Sequence, residues 1–225
     1  MRIVFLSLIV SLTSIACRSG SSSSITQTQS PEASTVAVID TSGLSEAVFA
    51  GGCFWCVEGV FESTIGVAEA VSGYAGGTTK NPTYQAVGTG NTGHAEAVLV
   101  YYDSTIVDFP TLLKVFVAST DVTQVNGQGP DHGTAYRSIL FYKNETEQQQ
   151  INSLIEKLRK SNEYSKPIAI EVRALEVFWP AEDYHQDYIE HNPDNPYVQH
   201  ESIPRIKRFQ RKYPDLVKPE KNRVK

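Results

Sequence analysis

An α/β or α+β sandwich, with helices laid against a mixed sheet, is the fold class this chain predicts. Three observations lead there. Apolar runs of strand character alternate with amphipathic helical stretches from about residue 44 to residue 191. No internal repeat turns that alternation into a repeat array. Two long Gly-rich connections, residues 75–92 and 120–136, interrupt it, and irregular segments of that length inside a compact domain are usually functional.

The 225 residues suffice for one domain with a buried core, plus extensions. Residues 1–16 predict an export signal: Arg2 carries positive charge, and residues 3–16 form an apolar segment too short to span a bilayer. Ser14-Ile15-Ala16-Cys17 resembles a bacterial lipoprotein cleavage box, departing from it at Ser14, where a branched aliphatic is usual. On that resemblance Cys17 becomes the lipid-modified first residue of a protein anchored to a membrane of a bacterial cell envelope, on the periplasmic or surface side. Ordinary secretion, with Cys17 lost or left free, is the alternative. Residues 17–43 predict a tether, because their Ser/Thr/Gln-rich run offers almost nothing to bury.

A folded domain is expected over residues 44–203. Residues 47–50 read as a strand, 54–63 as a helix, and 66–74 as a strand ending in the turn Gly73-Tyr74-Ala75-Gly76-Gly77. A strand at 94–102, an apolar-faced helix at 110–118 and a strand at 137–143 follow. The long helix at 145–160 is expected to begin on a capping box of Thr146 and Gln149. A strand at 168–177 closes the core, and 181–191 reads as a short polar helix. Residues 204–225 are expected to form a basic tail.

Charge is uneven. The chain carries a formal −5, but residues 201–225 hold nine Lys/Arg against three Asp/Glu, or +6, which leaves −11 for residues 1–200. There is no global electrostatic case for nucleic acid. The basic tail reads either as a contact for anionic lipid or nucleic acid, or as a solvated, partly disordered end.

The chemistry concentrates in Gly51-Gly52-Cys53-Phe54-Trp55-Cys56. Cys53 sits where a strand gives way to a helix, and the positive end of the helix dipole favours a thiolate there. Cys56 lies one turn on, close enough to condense with an oxidised Cys53. A structural disulfide is the alternative, yet a bridge across so small a loop contributes little by chain entropy. Zinc is not expected, since no second Cys pair or His pair stands at zinc spacing. Phe54 and Trp55 are adjacent and cannot both face the core, so at least one is expected to line a cleft for a small apolar group such as a thioether methyl. Glu96 falls on the face of Val98 and Val100 in a strand that is apolar on both sides. Burial there raises a carboxyl's pKa and keeps a proton available at neutral pH; a solvated Glu96 at the strand's start is the other reading. The loop Asn126 to Arg137, which contains Asp131, is dense in hydrogen-bonding groups and looks like a shaped site wall. His185 reads as a structural hydrogen-bonder.

Taken in order, the segments Gly52-Cys53-Phe54-Trp55-Cys56, Ser72-Gly73-Tyr74-Ala75-Gly76-Gly77, Asn81-Pro82-Thr83-Tyr84, Gly93-His94-Ala95-Glu96-Ala97-Val98, Asp131-His132-Gly133-Thr134-Ala135-Tyr136-Arg137-Ser138, Ala181 through Tyr188, and Asn192-Pro193 resemble the type A peptide methionine sulfoxide reductases. The resemblance implies a two-layer, ferredoxin-like sandwich with long loops. It implies that Cys53 attacks the sulfur of a methionine S-sulfoxide, that Glu96 protonates its oxygen, and that Tyr84 and Tyr136 hydrogen-bond that oxygen. Asp131 would support the site, and Phe54 and Trp55 would receive the methyl group. A Cys53 sulfenic acid is then resolved to a disulfide that a thioredoxin-like donor reduces; no cofactor or metal takes part. Many members resolve with cysteines in a C-terminal tail. This tail has none, so Cys56 or an external thiol must resolve. An exported position asks for an extracytoplasmic donor. Oxidised proteins and peptides are the expected substrates, and the enzyme is expected to act as a monomer. A general dithiol-disulfide oxidoreductase would explain the two cysteines but leave Glu96, Tyr84 and Tyr136 idle. A surface-tethered binding module with a structural disulfide is the third reading.

Overall fold

The computed structural model describes residues 40–219. The expected export signal, Cys17, the expected linker as far as residue 39 and the last six residues lie outside the described residues. The chain begins with strand β1 (Ser45–Gly51), helix α1 (Phe54–Glu62), strand β2 (Val67–Ala75) and the one-turn helix α2 (Tyr84–Gly88). Strand β3 (Ala95–Tyr102), helix α3 (Phe109–Ser119) and the tiny hairpin β4 (Gly127–Gln128) and β5 (Asp131–His132) follow. Then come strand β6 (Ser138–Tyr142), helix α4 (Glu145–Lys160), strands β7 (Glu171–Ala174) and β8 (Phe178–Pro180), and helices α5 (Tyr188–His191) and α6 (Ile203–Lys212).

Six strands form one sheet in the order β7-β6-β1-β3-β2-β8, with only β6 and β7 parallel. Its centre, β6-β1-β3-β2 with α1 and α3 as crossovers, is the split βαβ arrangement of ferredoxin-like folds. The central strands are apolar on both faces because both are covered. Ala47 and Phe49 of β1 point to the helices, with Val98 and Val100 of β3 and Leu140 of β6. There Phe49 stacks on Phe61 of α1 at 4.6 Å and on Phe116 of α3 at 5.9 Å. The opposite face is smaller, with Ala50, Ala75, Ala95 and Ala97 around Ile139 and Phe141, under Leu175 and Phe178.

Several local expectations change. Helix α4 is capped two residues earlier than Thr146 and Gln149 predict. Asn144 Oδ1 accepts from Glu147 N at 2.9 Å, and Glu147 Oε2 accepts from Lys143 N at 2.7 Å. Asn outranks Thr as an N-cap, and it has a Glu three residues on where Thr146 has a Gln. The strand expected at 168–177 pairs only over Glu171–Ala174, at the sheet's edge. Beyond it the chain crosses to the other edge as β8, an unpredicted strand ending at Pro180, which cannot donate to a ladder. Gly73 makes that pairing possible, since a Cβ there would lie 2.4 Å from the Trp179 carbonyl oxygen.

The polar helix expected at 181–191 is broken. A 3-10 turn at Asp183–His185 gives way at Asp187, which is left-handed at φ +51°. The break lets the Gln186 amide bond both backbone groups of Ser72. The largest correction concerns the basic tail. Residues 203–212 form α6, whose Ile206 and Phe209 are buried in the main core, and Val217 is buried beyond it. The apolar residues recur at helical spacing while Lys207, Arg208, Arg211 and Lys212 take the outer side, so the folded domain extends past residue 203 to about residue 217.

Candidate active site

Strand β1 ends at Gly51, and Gly52 turns the chain into α1 with φ +83°. A Cβ at Gly52 would sit 2.3 Å from Gln128 Cβ, so both conformation and space require glycine. The turn leaves Cys53 as the N-cap of α1, its carbonyl accepting from Cys56 N and Val57 N. The next free amide, Phe54 N, donates to Glu96 Oε2 at 2.9 Å. Glu96 comes from the start of β3, where it faces Tyr74 of β2 in register. It is 3% exposed. Burial drives its pKa up to about 8, against the Phe54 N–H, with the Asp131 charge adding to the rise. A carboxyl beside the catalytic candidate therefore carries a proton at neutral pH.

Cys53, Phe54, Trp55, Tyr84, Glu96 and Tyr136 line one cavity of about 320 Å³, closed on one side by Asp131, Asn195 and Tyr197. The cavity thus holds every predicted site residue among the described residues except Cys56, which adjoins Cys53 and lines a neighbouring hollow with Asp131 and Tyr197. A hollow of about 380 Å³ between α3 and α4 is as large, but it is lined by Pro110, Leu113 and Leu154 among polar chains and offers no thiol or carboxylate. Chemistry, not volume, picks the site. Among the described residues no three His, Cys, Asp or Glu side chains cluster as metal ligands.

Aromatic packing shapes the cavity. Phe54 is buried and stacks against Tyr84 at 6.2 Å. Trp55 is half-buried, lies flat on Tyr188 at 3.7 Å, and its Nε1–H donates to His185 Nδ1 at 3.2 Å. So both aromatics reach the cavity, one through the core and one along its rim. His185 is buried and held neutral by that burial, which suits an acceptor for Trp55. Burial raises the pKa values of the Tyr84 and Tyr136 hydroxyls, that of Tyr84 to about 12. Both remain O–H donors. Glu182 fixes this wall by accepting from Tyr84 N at 3.0 Å and Tyr74 OH at 2.8 Å. Tyr197 donates its hydroxyl to Asp131 Oδ2 at 2.5 Å.

The two thiols are free and unequal. Burial, hydrogen bonding to Cys56 and the Glu96 charge push Cys53 well up, outweighing the helix terminus that favours its thiolate. Cys56 is held down at about 6 by the Cys53 hydrogen bond, despite burial, with help from the Arg205 guanidinium and from Ser202 and Tyr197. Within the pair the Arg205 guanidinium and the Ser202 hydroxyl lie on the Cys56 side, which favours negative charge on that sulfur. Glu182, Tyr188, Tyr197 and Arg205 were not foreseen. Glu182 and Tyr188 stand in the recognised segment 181–188 but were given no role there, and no local pattern in the sequence marks Tyr197 or Arg205.

Fold and site together define an oxidoreductase that works through thiols. The profile of the family Peptide methionine sulfoxide reductase matches residues 45–216. The chain is 45% identical over 175 residues to Peptide methionine sulfoxide reductase MsrA 2 of Mesorhizobium japonicum, covering 77% of this chain and 90% of that one. It is 45% identical over 171 residues to the MsrA of Natronomonas pharaonis, covering 76% and 96%. Among solved structures, methionine sulfoxide reductase A of Corynebacterium diphtheriae aligns with a TM-score of 0.65 at 34% identity, over 68% of this chain and 76% of that one. Reduced Mxr1 of Saccharomyces cerevisiae aligns at 0.64 and 28% identity, over 68% and 88%. The chain belongs to the peptide methionine sulfoxide reductase family, and its reaction is the thiol-dependent reduction of methionine sulfoxide.

Proposed function

We propose that this chain reduces the S-sulfoxide of methionine in proteins and peptides, through Cys53, in the manner of family members with a Cys-Phe-Trp-Cys motif. One observation carries the reading: a protonated Glu96 carboxyl and two tyrosine hydroxyls share an apolar-walled cavity with a thiol at a helix N-terminus. The methyl group lies against Phe54 and Trp55, and the oxygen accepts from Tyr84 and Tyr136. Cys53 attacks the sulfoxide sulfur as Glu96 gives its proton to the oxygen, which weakens the S–O bond. On substrate entry the proton shared by the two thiols passes to Cys56, which leaves Cys53 as the attacking thiolate and later supplies the proton for the departing water; Asp131, tied to Tyr197, supports this wall. The oxygen ends on Cys53 as a sulfenic acid, and methionine leaves with two more electrons than the sulfoxide brought. Cys56 then attacks the Cys53 sulfur, the hydroxyl departs as water, and a Cys53–Cys56 disulfide remains for a thioredoxin-like dithiol donor.

The apolar segment at residues 3–16 and the box ending at Cys17 support a place in the cell envelope, with a lipid on Cys17 holding the enzyme to a membrane. There it repairs oxidised extracytoplasmic proteins. Incubating the reduced protein with a racemic methionine sulfoxide peptide and dithiothreitol, then separating the epimers by chiral chromatography, tests the chemistry. Selective loss of the S epimer is expected. Survival of both epimers beside a folded, reduced protein overturns it. Recovery of the native protein from membranes without an acyl chain would remove the anchor.

A further inference from the structure

Arg205 of α6 is 6% exposed, and the sequence placed it in a solvated tail. Its Nε donates to the Ser119 carbonyl at 2.6 Å, and Nη2 donates to the Gly51 carbonyl at 2.7 Å and Thr120 Oγ1 at 2.9 Å. All three acceptors are neutral. Among the described residues no carboxylate forms an ion pair with it. A buried cation without a counter-charge is costly, and the arrangement asks for an anion. The small hollow of about 80 Å³ that Arg205 lines also holds Asp131 and Glu201, neither of which pairs with it, and Cys56, whose Sγ lies 3.1 Å from Ser202 Oγ and is the candidate anion.

We propose that Arg205 and Ser202 form an anion site for the Cys56 sulfur, and that an external thiol therefore re-reduces the Cys53–Cys56 disulfide by attacking Cys53 from the substrate cavity. This rests on the reading that the two cysteines form that disulfide in turnover. The incoming thiolate's electron pair makes a bond to Cys53 Sγ. The Cys53–Cys56 bond breaks, and its pair leaves on Cys56 as a thiolate beside Arg205. The donor's second thiol then attacks its own sulfur in the mixed disulfide, which frees Cys53 and leaves the donor oxidised.

Two physical arguments select Cys53 as the sulfur attacked. Thiol–disulfide exchange expels the better-stabilised thiolate faster, and the environment of Cys56 stabilises its charge where that of Cys53 does not. Access agrees: Cys53 lines the cavity of about 320 Å³ and Cys56 the hollow of about 80 Å³, with Asp131 and Tyr197 as their shared wall. The charged and titratable groups around Cys56 are Cys53 from the start of α1, Glu96 from β3, Asp131 from β5, and Tyr197, His200, Glu201, Arg205 and Arg208 from the C-terminal helical segment. Arg205 alone among these is a buried fixed cation. Sulfoxide and donor consequently compete for one entrance, so high sulfoxide slows re-reduction.

The test has two arms. Ultraviolet thiolate absorbance against pH is read on the Cys53→Ser protein, where Ser keeps a donor for Cys56. Adding Arg205→Met is expected to move the midpoint up by about one pH unit or more, and Arg205→Lys to restore it. An unchanged midpoint in a folded Arg205→Met protein overturns the anion site. Where Arg205→Met does not fold, Ser202→Ala replaces it under the same criterion. In the second arm the disulfide form of the full chain meets 2-mercaptoethanol, is quenched in acid, and is mapped by fragmentation mass spectrometry. An adduct on Cys53 is expected, and an adduct on Cys56 overturns the route. Both results as expected in a protein inert towards sulfoxide would sink the proposed function and leave the anion site standing.

Discussion

Replacing Glu96 by Gln separates what its proton does for catalysis from what its burial costs the fold. With a pKa of about 8, the carboxyl is about nine-tenths protonated at pH 7, half at pH 8 and one-tenth at pH 9. Wild-type sulfoxide reduction should therefore lose its acid along an alkaline limb centred near pH 8. Gln keeps the size and can still accept from Phe54 N, but it has no proton to give. A fall of about 10²–10⁴ in kcat is expected, with the alkaline limb gone from what remains.

The stability effect has the opposite sign. The folded pKa lies above the ordinary 4.5, so the folded state binds this proton more tightly than the unfolded one. Stability is then greatest below pH 4.5 and drains away as pH rises from there to about 8. Across that window the loss amounts to about 1 kcal/mol at pH 5 and about 3 kcal/mol at pH 7. Glu96→Gln escapes it, so its advantage over wild type should grow by about 2 kcal/mol between those pH values, roughly 4–8 °C in Tm. Initial rates from pH 5 to 9 and urea unfolding at pH 5 and 7 check both halves. A variant within threefold of wild-type kcat that keeps the alkaline limb would refute the assignment of the acid. Equal stability differences at the two pH values would refute the burial argument.

Cys56→Ser should fold, release about one methionine per chain and stall, with Cys53 then labelled by a sulfenic-acid reagent such as dimedone; sustained turnover with a protein dithiol donor would remove Cys56 from the cycle. Gly52→Ala places a Cβ 2.3 Å from Gln128 Cβ at a φ of +83°, so a loss of at least about 2 kcal/mol and a fall in kcat are expected in denaturation and rate measurements. An unchanged variant would mean the turn relaxes freely. Phe209→Ala should cost about 3–5 kcal/mol in urea unfolding, as a fully buried core residue does, whereas a solvated tail would register nothing.

Cys53 and Glu96 were legible because each breaks a local rule: a cysteine where a strand becomes a helix, and a carboxyl in a run apolar on both faces. Strands β1, β2, β3 and β6 were legible for the matching reason, that their burial is written into consecutive residues. The 181–191 segment was not, because what breaks it is Gln186 reaching Ser72, a partner 114 residues away. Tyr197 meets Asp131 across 66 residues and Arg205 meets Gly51 across 154, and no window on the sequence holds either pair. In the C-terminal stretch the count of Lys and Arg hid the spacing of Ile206 and Phe209, which is the signal that mattered. That misreading bears on the chemistry. A redox pair needs its two sulfurs to differ, and two cysteines on one helical turn, both buried, start out nearly alike. The difference has to come from elsewhere in the fold, and on the proposal above α6 and the turn before it supply it, with Arg205 and the Ser202 hydroxyl beside Cys56. The segment that brings no resolving cysteine brings, on this reading, the charge that fits Cys56 for the role.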